Sequence, residues 1–366
     1  MAAGDYAILV GISRYADPAY PPLDGPVHDV DLVKKWLMSQ SGGDVPEARI
    51  KTIVSPTGFP ADQDALLAPP LPAQFEAAFL NIERERLGLD TARIADRLYL
   101  YFSGHGFCSR AIDRGAEAAL YTANAARDYY QHIYGTYFAR RAEAKALFRE
   151  IVLVMDCCRD AEANRVPVVP ALANTPDYDL AADVSVLQIY AVPRGGKAHE
   201  RAIPERNGQV HGLLTHALCK TFAEARPTNG SLVSATGVRQ HLKQIWEKVC
   251  GEDGAPSPHV YLPNHEIFFK AGNAGVRLIV SFGVTPPASA TVSLRDGKLN
   301  RFAVLSASGN AQEDIIAANA PILQLEREGT KILLQMLPGL YAYEPQGIPG
   351  NAGNVKLETG EISVQL

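Results

Sequence analysis

What the chain lacks narrows it first. Its longest apolar runs fall well short of the roughly 20 residues that cross a bilayer as a helix. No cluster of lysine and arginine interrupts a mild acidic excess, 35 basic against 40 acidic side chains for a formal charge of −5. Neither a nucleic-acid groove nor an anionic membrane surface is therefore expected among its partners. Cysteine is scarce: five residues, at 108, 157, 158, 219 and 250, odd in number and irregularly spaced. That argues against a disulfide framework and for a reducing, cytoplasmic setting. The opening MAAGDYAILVGI has no basic stretch ahead of its apolar run, so it reads as a first strand and not as a secretion signal.

What is there is an ordinary globular balance, 47% apolar and 20% charged, in a length of 366 residues that suits two domains. Strands are expected at 6–12, 50–54, 96–102, 151–155 and 184–192, with a short one at 119–123. Helices are expected at 27–40, 73–87 and 138–149, where apolar residues recur three and four apart. Two more helices follow Gln209, one carrying Leu214, Leu218 and Phe222, the other Val238, Leu242, Ile245 and Val249 with Ser234 as its N-cap. Residues 161–183 and 193–209 read as exposed connections. This alternation predicts an α/β domain over 1–271, a mostly parallel sheet flanked by helices. After Lys270 the helical period disappears and short alternating segments separated by turn residues take over, predicting an all-β, sandwich-like domain over 272–366.

The chemistry concentrates at two strand ends. Ile151–Met155 is an unbroken apolar run, as a strand buried on both faces requires, and it stops at Asp156-Cys157-Cys158-Arg159. The strand at 96–102 stops at Ser103-Gly104-His105-Gly106. If the two are parallel neighbours, a histidine and a cysteine meet where open α/β sheets place their ligands. A cysteine nucleophile needs thiolate character, which a histidine in hydrogen-bond reach supplies. Backbone N–H groups of Gly106 and Cys158 are candidates for an oxyanion hole. Alternation across the strand puts Asp156 on the side of Cys158, and turns Cys157 and Arg159 away. A zinc site from His105-x-x-Cys108 with Cys157 and Cys158 is disfavoured, because adjacent cysteines rarely face one metal. No metal and no cofactor are expected. His28, His199, His211 and His216 read as surface or structural histidines.

SGHG at 103–106 with DCCR at 156–159 resembles the caspase–metacaspase clan of cysteine peptidases (peptidase C14), and in particular its bacterial caspase-like members. GDYAILVGISRY resembles that clan's first strand, Leu23-x-Gly25-x-x-x-Asp29 its turn into the first helix, and HGLLTHAL at 211–218 a later helix. Cys158 lies 53 residues beyond His105. A histidine about 50 residues upstream of the cysteine is a known caspase feature and no independent derivation. The resemblance covers roughly residues 4–270. It implies a caspase-like fold, Cys158 as nucleophile and His105 as base or leaving-group proton donor. It also implies an acidic S1 pocket from Asp29 and Asp156, hence cleavage after arginine or lysine. After the cysteine, Arg159-Asp160-Ala161 replaces the metacaspase His-Ser-Gly, so calcium activation is not carried over. Relatives are often stress or defence effectors, and some cut themselves. Arg165, Arg194, Arg201, Arg206, Arg110 and Arg114 are the candidate cut sites. The partners expected are a protein or peptide substrate and a regulatory protein on the β domain. The competing reading is a catalytically silent caspase-fold module that acts through that β domain.

Overall fold

The structure, a computed structural model, describes residues 5–366 except 40–41, 89–92, 109–116, 162–165, 173–175, 177, 226–231, 251–253, 271–275, 283–285, 288, 298, 309–313, 318–321, 329, 337–338, 349–351 and 358–360. Arg110, Arg114 and Arg165 lie outside the described residues. Contacts divide the chain into two compact units, Met1–Phe222 with Leu232–Lys270, and Ala223–Ser231 with Ala271–Leu366.

The first unit begins β1 (Tyr6–Gly11), α1 (Gly25–Met38), β2 (Ile50–Val54), α2 (Pro72–Glu85) and β3 (Ala95–Gly104). It continues β4 (Gly106–Cys108), β5 (Ala119–Tyr121), β6 (His132–Ile133), α3 (Gly135–Ala144), β7 (Phe148–Cys157) and β8 (Asp160–Ala161). Next come α4 (Tyr178–Ala181), β9 (Ser185–Tyr190), β10 (Glu200–Ile203), β11 (Gln209–Gly212), α5 (Leu213–Glu224) and β12 (Leu232–Ser234). It closes with α6 (Ala235–Cys250), β13 (His259–Tyr261) and β14 (Phe268–Lys270). The main sheet has the order β13-β9-β7-β3-β1-β2. Every pairing in it is parallel except that of β13 with β9. Parallel strands covered by helices must be apolar on both faces, and β1 and most of β7 are buried residue by residue.

Pro72 does open α2, its fixed φ and missing N–H costing nothing in a first turn. Ser234 does cap α6: its Oγ accepts the N–H of Gly237 at 3.1 Å. Two expectations need correcting. The helix at 138–149 ends at Ala144, and β7 begins at Phe148. Ala146 takes a left-handed φ of 48°, which closes the helix and turns buried Leu147 and Phe148 into the sheet. The connection at 193–209 holds the antiparallel hairpin of β10 and β11. Its turn carries Asn207 and Gly208 at φ of 56° and 75°, a pairing that is a strong hairpin signal in a sequence.

Among the described residues from 276 onward, every regular element of the second unit is a strand. It runs β15 (Val276–Ser281), β16 (Thr291–Arg295), β17 (Arg301–Ser306), β18 (Ile315–Ile316), β19 (Ile322–Glu328), β20 (Lys331–Met336), β21 (Gly339–Gln346), β22 (Gly353–Leu357) and β23 (Glu361–Gln365). Two sheets form, β19-β20-β15-β23 and β18-β17-β16-β21-β22. Leu278, Val280 and Leu334 of one join Val292, Leu294 and Leu305 of the other in a single core, the arrangement of a sandwich.

Candidate active site

The sheet order places β3 between β1 and β7. The chain leaves β1 for β2 on one side and returns to β3 on the other, so the carboxyl ends of β1 and β3 flank a topological switch point. Along β3 and β7 the register pairs Ser103 with Asp156 and Gly104 with Cys157. His105 and Cys158 are the residues immediately after the two strands, and both line one cleft of about 90 Å³ together with Asp29, Asp156, Glu200 and Gly212. Cys157 is fully buried on the opposite side. Gly106 packs tightly: a Cβ there would stand 2.6 Å from the Cys157 Sγ and 2.8 Å from the Ala119 carbonyl oxygen.

His105 is held from three directions. Its backbone N–H donates to the Tyr15 hydroxyl at 2.8 Å, and the Tyr15 ring lies 5.0 Å from the imidazole. Its Nε2 stands 2.8 Å from the carbonyl oxygen of Pro21, in the loop after β1. A carbonyl only accepts, so the proton of a neutral ring sits on Nε2 and Nδ1 keeps its lone pair. Burial lowers the His105 pKa, with the Pro21 contact working against it. Burial raises that of Cys158, with the Ala198 N–H, 3.3 Å from Sγ, working against it. Both shifts disfavour a preformed thiolate–imidazolium ion pair. Pro21 and Tyr15 were not legible as site residues, because a backbone carbonyl and a ring support carry no motif.

The acidic side of the cleft is built by three elements. Asp29, fully buried on α1, accepts from Ser103 Oγ at 3.0 Å and from the Gly212 N–H, and lies 2.9 Å from Nδ1 of His211. Its carboxylate therefore faces β3 and β11, and does not serve its own helix terminus. Asp156 accepts the N–H and the Oγ–H of Thr215, at 2.9 and 2.6 Å, both on Oδ2, and so also caps α5. Burial pushes Asp29 up to about 8; burial, then the Asp29 charge, pushes Asp156 up to about 7. Gly212 separates the two carboxylates, and any Cβ on it would collide with Asp156. A third carboxylate carries no motif in the sequence. Glu200, at the start of β10, accepts the N–H groups of Asp24 and Gly25 at 3.0 and 2.8 Å and ties the hairpin to α1. Arg159 is absent from the cleft. It is buried at 1% exposure with its guanidinium 4.3 Å from the Tyr190 ring centre, and so supplies no basic pocket. Among the described residues no three His, Cys, Asp or Glu side chains are grouped to hold a metal ion, and no helix is long and apolar enough to cross a membrane.

The sequence profile of the caspase domain, peptidase C14, matches residues 5–262. This chain belongs to the caspase family. Its first unit has the caspase-like fold, a mostly parallel central sheet flanked by helices, and the family is one of peptidases. Over 108 residues the chain is 32% identical to a curated relative described as a probable protease from a Desulfuromonadales bacterium. That match takes in 29% of this chain and spans 12% of the relative's length. Among solved structures, caspase-1 from Spodoptera frugiperda is similar at 12% identity with a TM-score of 0.42, covering 71% of this chain and 88% of that one.

Proposed function

We propose that this caspase-family chain is a cysteine endopeptidase that uses Cys158 and His105 and cuts after arginine or lysine. The observation that carries the proposal is that one small cleft holds the Cys158 thiol, the imidazoles of His105 and His199 and three carboxylates, with no lysine or arginine among its described lining residues. In the first step His105 Nδ1 takes the thiol proton as sulfur attacks the scissile carbonyl carbon. The resulting oxyanion is to be held by the backbone N–H groups of Gly106 and Cys158. The imidazolium then returns the proton to the leaving amine, and a thioester remains. Water hydrolyses it with His105 again accepting the proton. A neutral imidazole beside a protonated thiol suits this order, since the base must be able to accept. The acidic side would take a guanidinium or ammonium through charge-assisted hydrogen bonds and repel an acidic side chain. A role as a stress or defence effector in a cytoplasmic setting rests on family likeness alone.

Three measurements test this reading. Covalent labelling of Cys158 by an arginyl peptide electrophile should occur in the native protein and fall sharply in His105→Ala. Profiling a peptide library at the residue before the cut should return arginine or lysine, and Asp156→Ala should lower arginine cleavage at least ~30-fold, as loss of one partner of a buried charge pair implies. No labelling in a folded native protein would favour the silent binding module, and a preference for aspartate would overturn the pocket assignment.

A further inference from the structure

His211 sits in β11, immediately before the glycine that separates the two cleft aspartates. Its ring is 2% exposed. Nδ1 makes one contact, to Asp29 Oδ1 at 2.9 Å, while Nε2 is buried with no hydrogen-bond partner among the described residues. A buried polar atom without a partner is destabilising. A ring kept for packing alone would be better replaced by an aliphatic side chain of similar size. What the imidazole offers that a leucine does not is the Nδ1 contact with Asp29.

The protonation of that contact follows from its surroundings. Burial first, then the charge of Arg206 and that of His28, lower the ring to about 4, so it is neutral and carries one proton. Where Asp29 is ionised it only accepts, which places that proton on Nδ1. Ser103 Oγ–H and the Gly212 N–H complete three donors converging on Asp29, against the burial that pushes its proton affinity up. The other charged or titratable groups facing the pair are Tyr101 from β3, Asp156 from β7, Glu200 from β10, Arg206 from the hairpin turn, His28 and Lys35 from α1, and His216 and Cys219 from α5.

We propose that His211 is a specificity-determining positioning residue: by donating from Nδ1 it orients Asp29 in the cleft and favours its ionised form, and so sets the affinity for a basic substrate side chain. This rests on the basic-residue reading above. His211 acts through Asp29 and touches no reacting atom.

The test is steady-state kinetics on an arginine peptide with the full chain and with His211→Leu, His211→Asn and His211→Gln. Asparagine can place an amide N–H near the position of Nδ1; glutamine places it near Nε2, away from Asp29. In His211→Leu we expect KM to rise at least about tenfold with kcat within about twofold. The acid limb of kcat/KM should move to higher pH, because an anion that loses a donor holds its proton more tightly. Alkylation of Cys158 by iodoacetamide should proceed at the native rate. His211→Asn should stay within about threefold of the native KM. An unchanged KM in His211→Leu overturns the proposal, as does a loss confined to kcat and to alkylation. Should His211→Leu not fold, the amide pair decides: retention by Asn and not by Gln supports the proposal, and equal behaviour overturns it. A native enzyme that cuts after aspartate overturns the basic-residue reading and this inference together. Native arginine cleavage with indifferent His211 variants overturns this inference alone.

Discussion

Two carboxyls buried within one cleft do not behave as carboxyls in water. Asp29 and Asp156 are raised from an ordinary value of 3.8 to about 8 and about 7, burial being the largest cause for each. A group whose folded pKa exceeds its unfolded one stabilises the native state below the unfolded value and loses that contribution as pH rises through the folded value. The unliganded protein should therefore lose thermal stability between about pH 4 and pH 8 from these two residues. A guanidinium needs the ionised forms, so kcat/KM for an arginine peptide should rise over the upper part of the same window. Melting curves at pH 5 and pH 8, with and without an arginyl inhibitor, check both signs. A flat kcat/KM from pH 6 to pH 8 would count against charge recognition by Asp29 and Asp156. Neighbouring Cys157 belongs to packing: Cys157→Ala should lower stability by about 1 kcal/mol and leave Cys158 labelling intact, while Cys158→Ala should abolish turnover.

At the level of elements, α3, which packs on β7, is fastened to α2 through one shared carboxylate. Arg141 of α3 donates to Glu83 of α2 through Nε and a terminal nitrogen, both at 3.0 Å, and Lys145 adds a third contact at 2.6 Å. The Arg141 side chain is 3% exposed and that of Glu83 is 15%. Removing the shared acid takes the carboxylate partner from two largely buried cations, so Glu83→Ala should cost about 3 kcal/mol in urea unfolding. A loss under ~0.5 kcal/mol would show that solvent already compensates the pair. The hairpin bears on self-cleavage. Arg201 lies within β10 and bonds to the Val249 carbonyl, and Arg206 sits in the hairpin turn. A backbone paired in a strand resists a protease, so any self-cut should fall in the 161–183 connection or at Arg194 before it falls at Arg201. Mass spectrometry of the native protein beside Cys158→Ala decides this. A cut at Arg201 alone, absent from the variant, would contradict it.

At the scale of the whole molecule, the site uses residues of the first unit only, and among the described residues from 276 onward there is neither histidine nor cysteine. Lys270 still belongs to the first unit: β14 pairs with β12, and the Lys270 Nζ reaches Asp44 at 2.9 Å. A truncation ending just after Lys270 should keep its activity on a short peptide. Loss of that activity in a folded truncation would assign the second unit a part in maintaining the catalytic sheet, in place of the regulatory role expected for it.

The sequence by itself determined the alternation of elements, the two reactive strand ends and the side on which each residue falls. Apolar runs, period and β-alternation are local, so the strand pattern alone sets Asp156 and Cys158 opposite Cys157 and Arg159. The alternation of residues after 270 was legible for the same reason. Only the tertiary structure decided what converges from distant parts of the chain. Glu200 reaches the cleft and His211 reaches Asp29 because a hairpin folds back over α1, yet the residues that make that hairpin look like loop composition, apart from Asn207-Gly208. Pro21 acts through a carbonyl that every residue possesses, so no side chain announces it. The proton affinities of Asp29 and Asp156 arise from burial and, for Asp156, from the Asp29 charge beside it, and neither cause exists until the chain has packed.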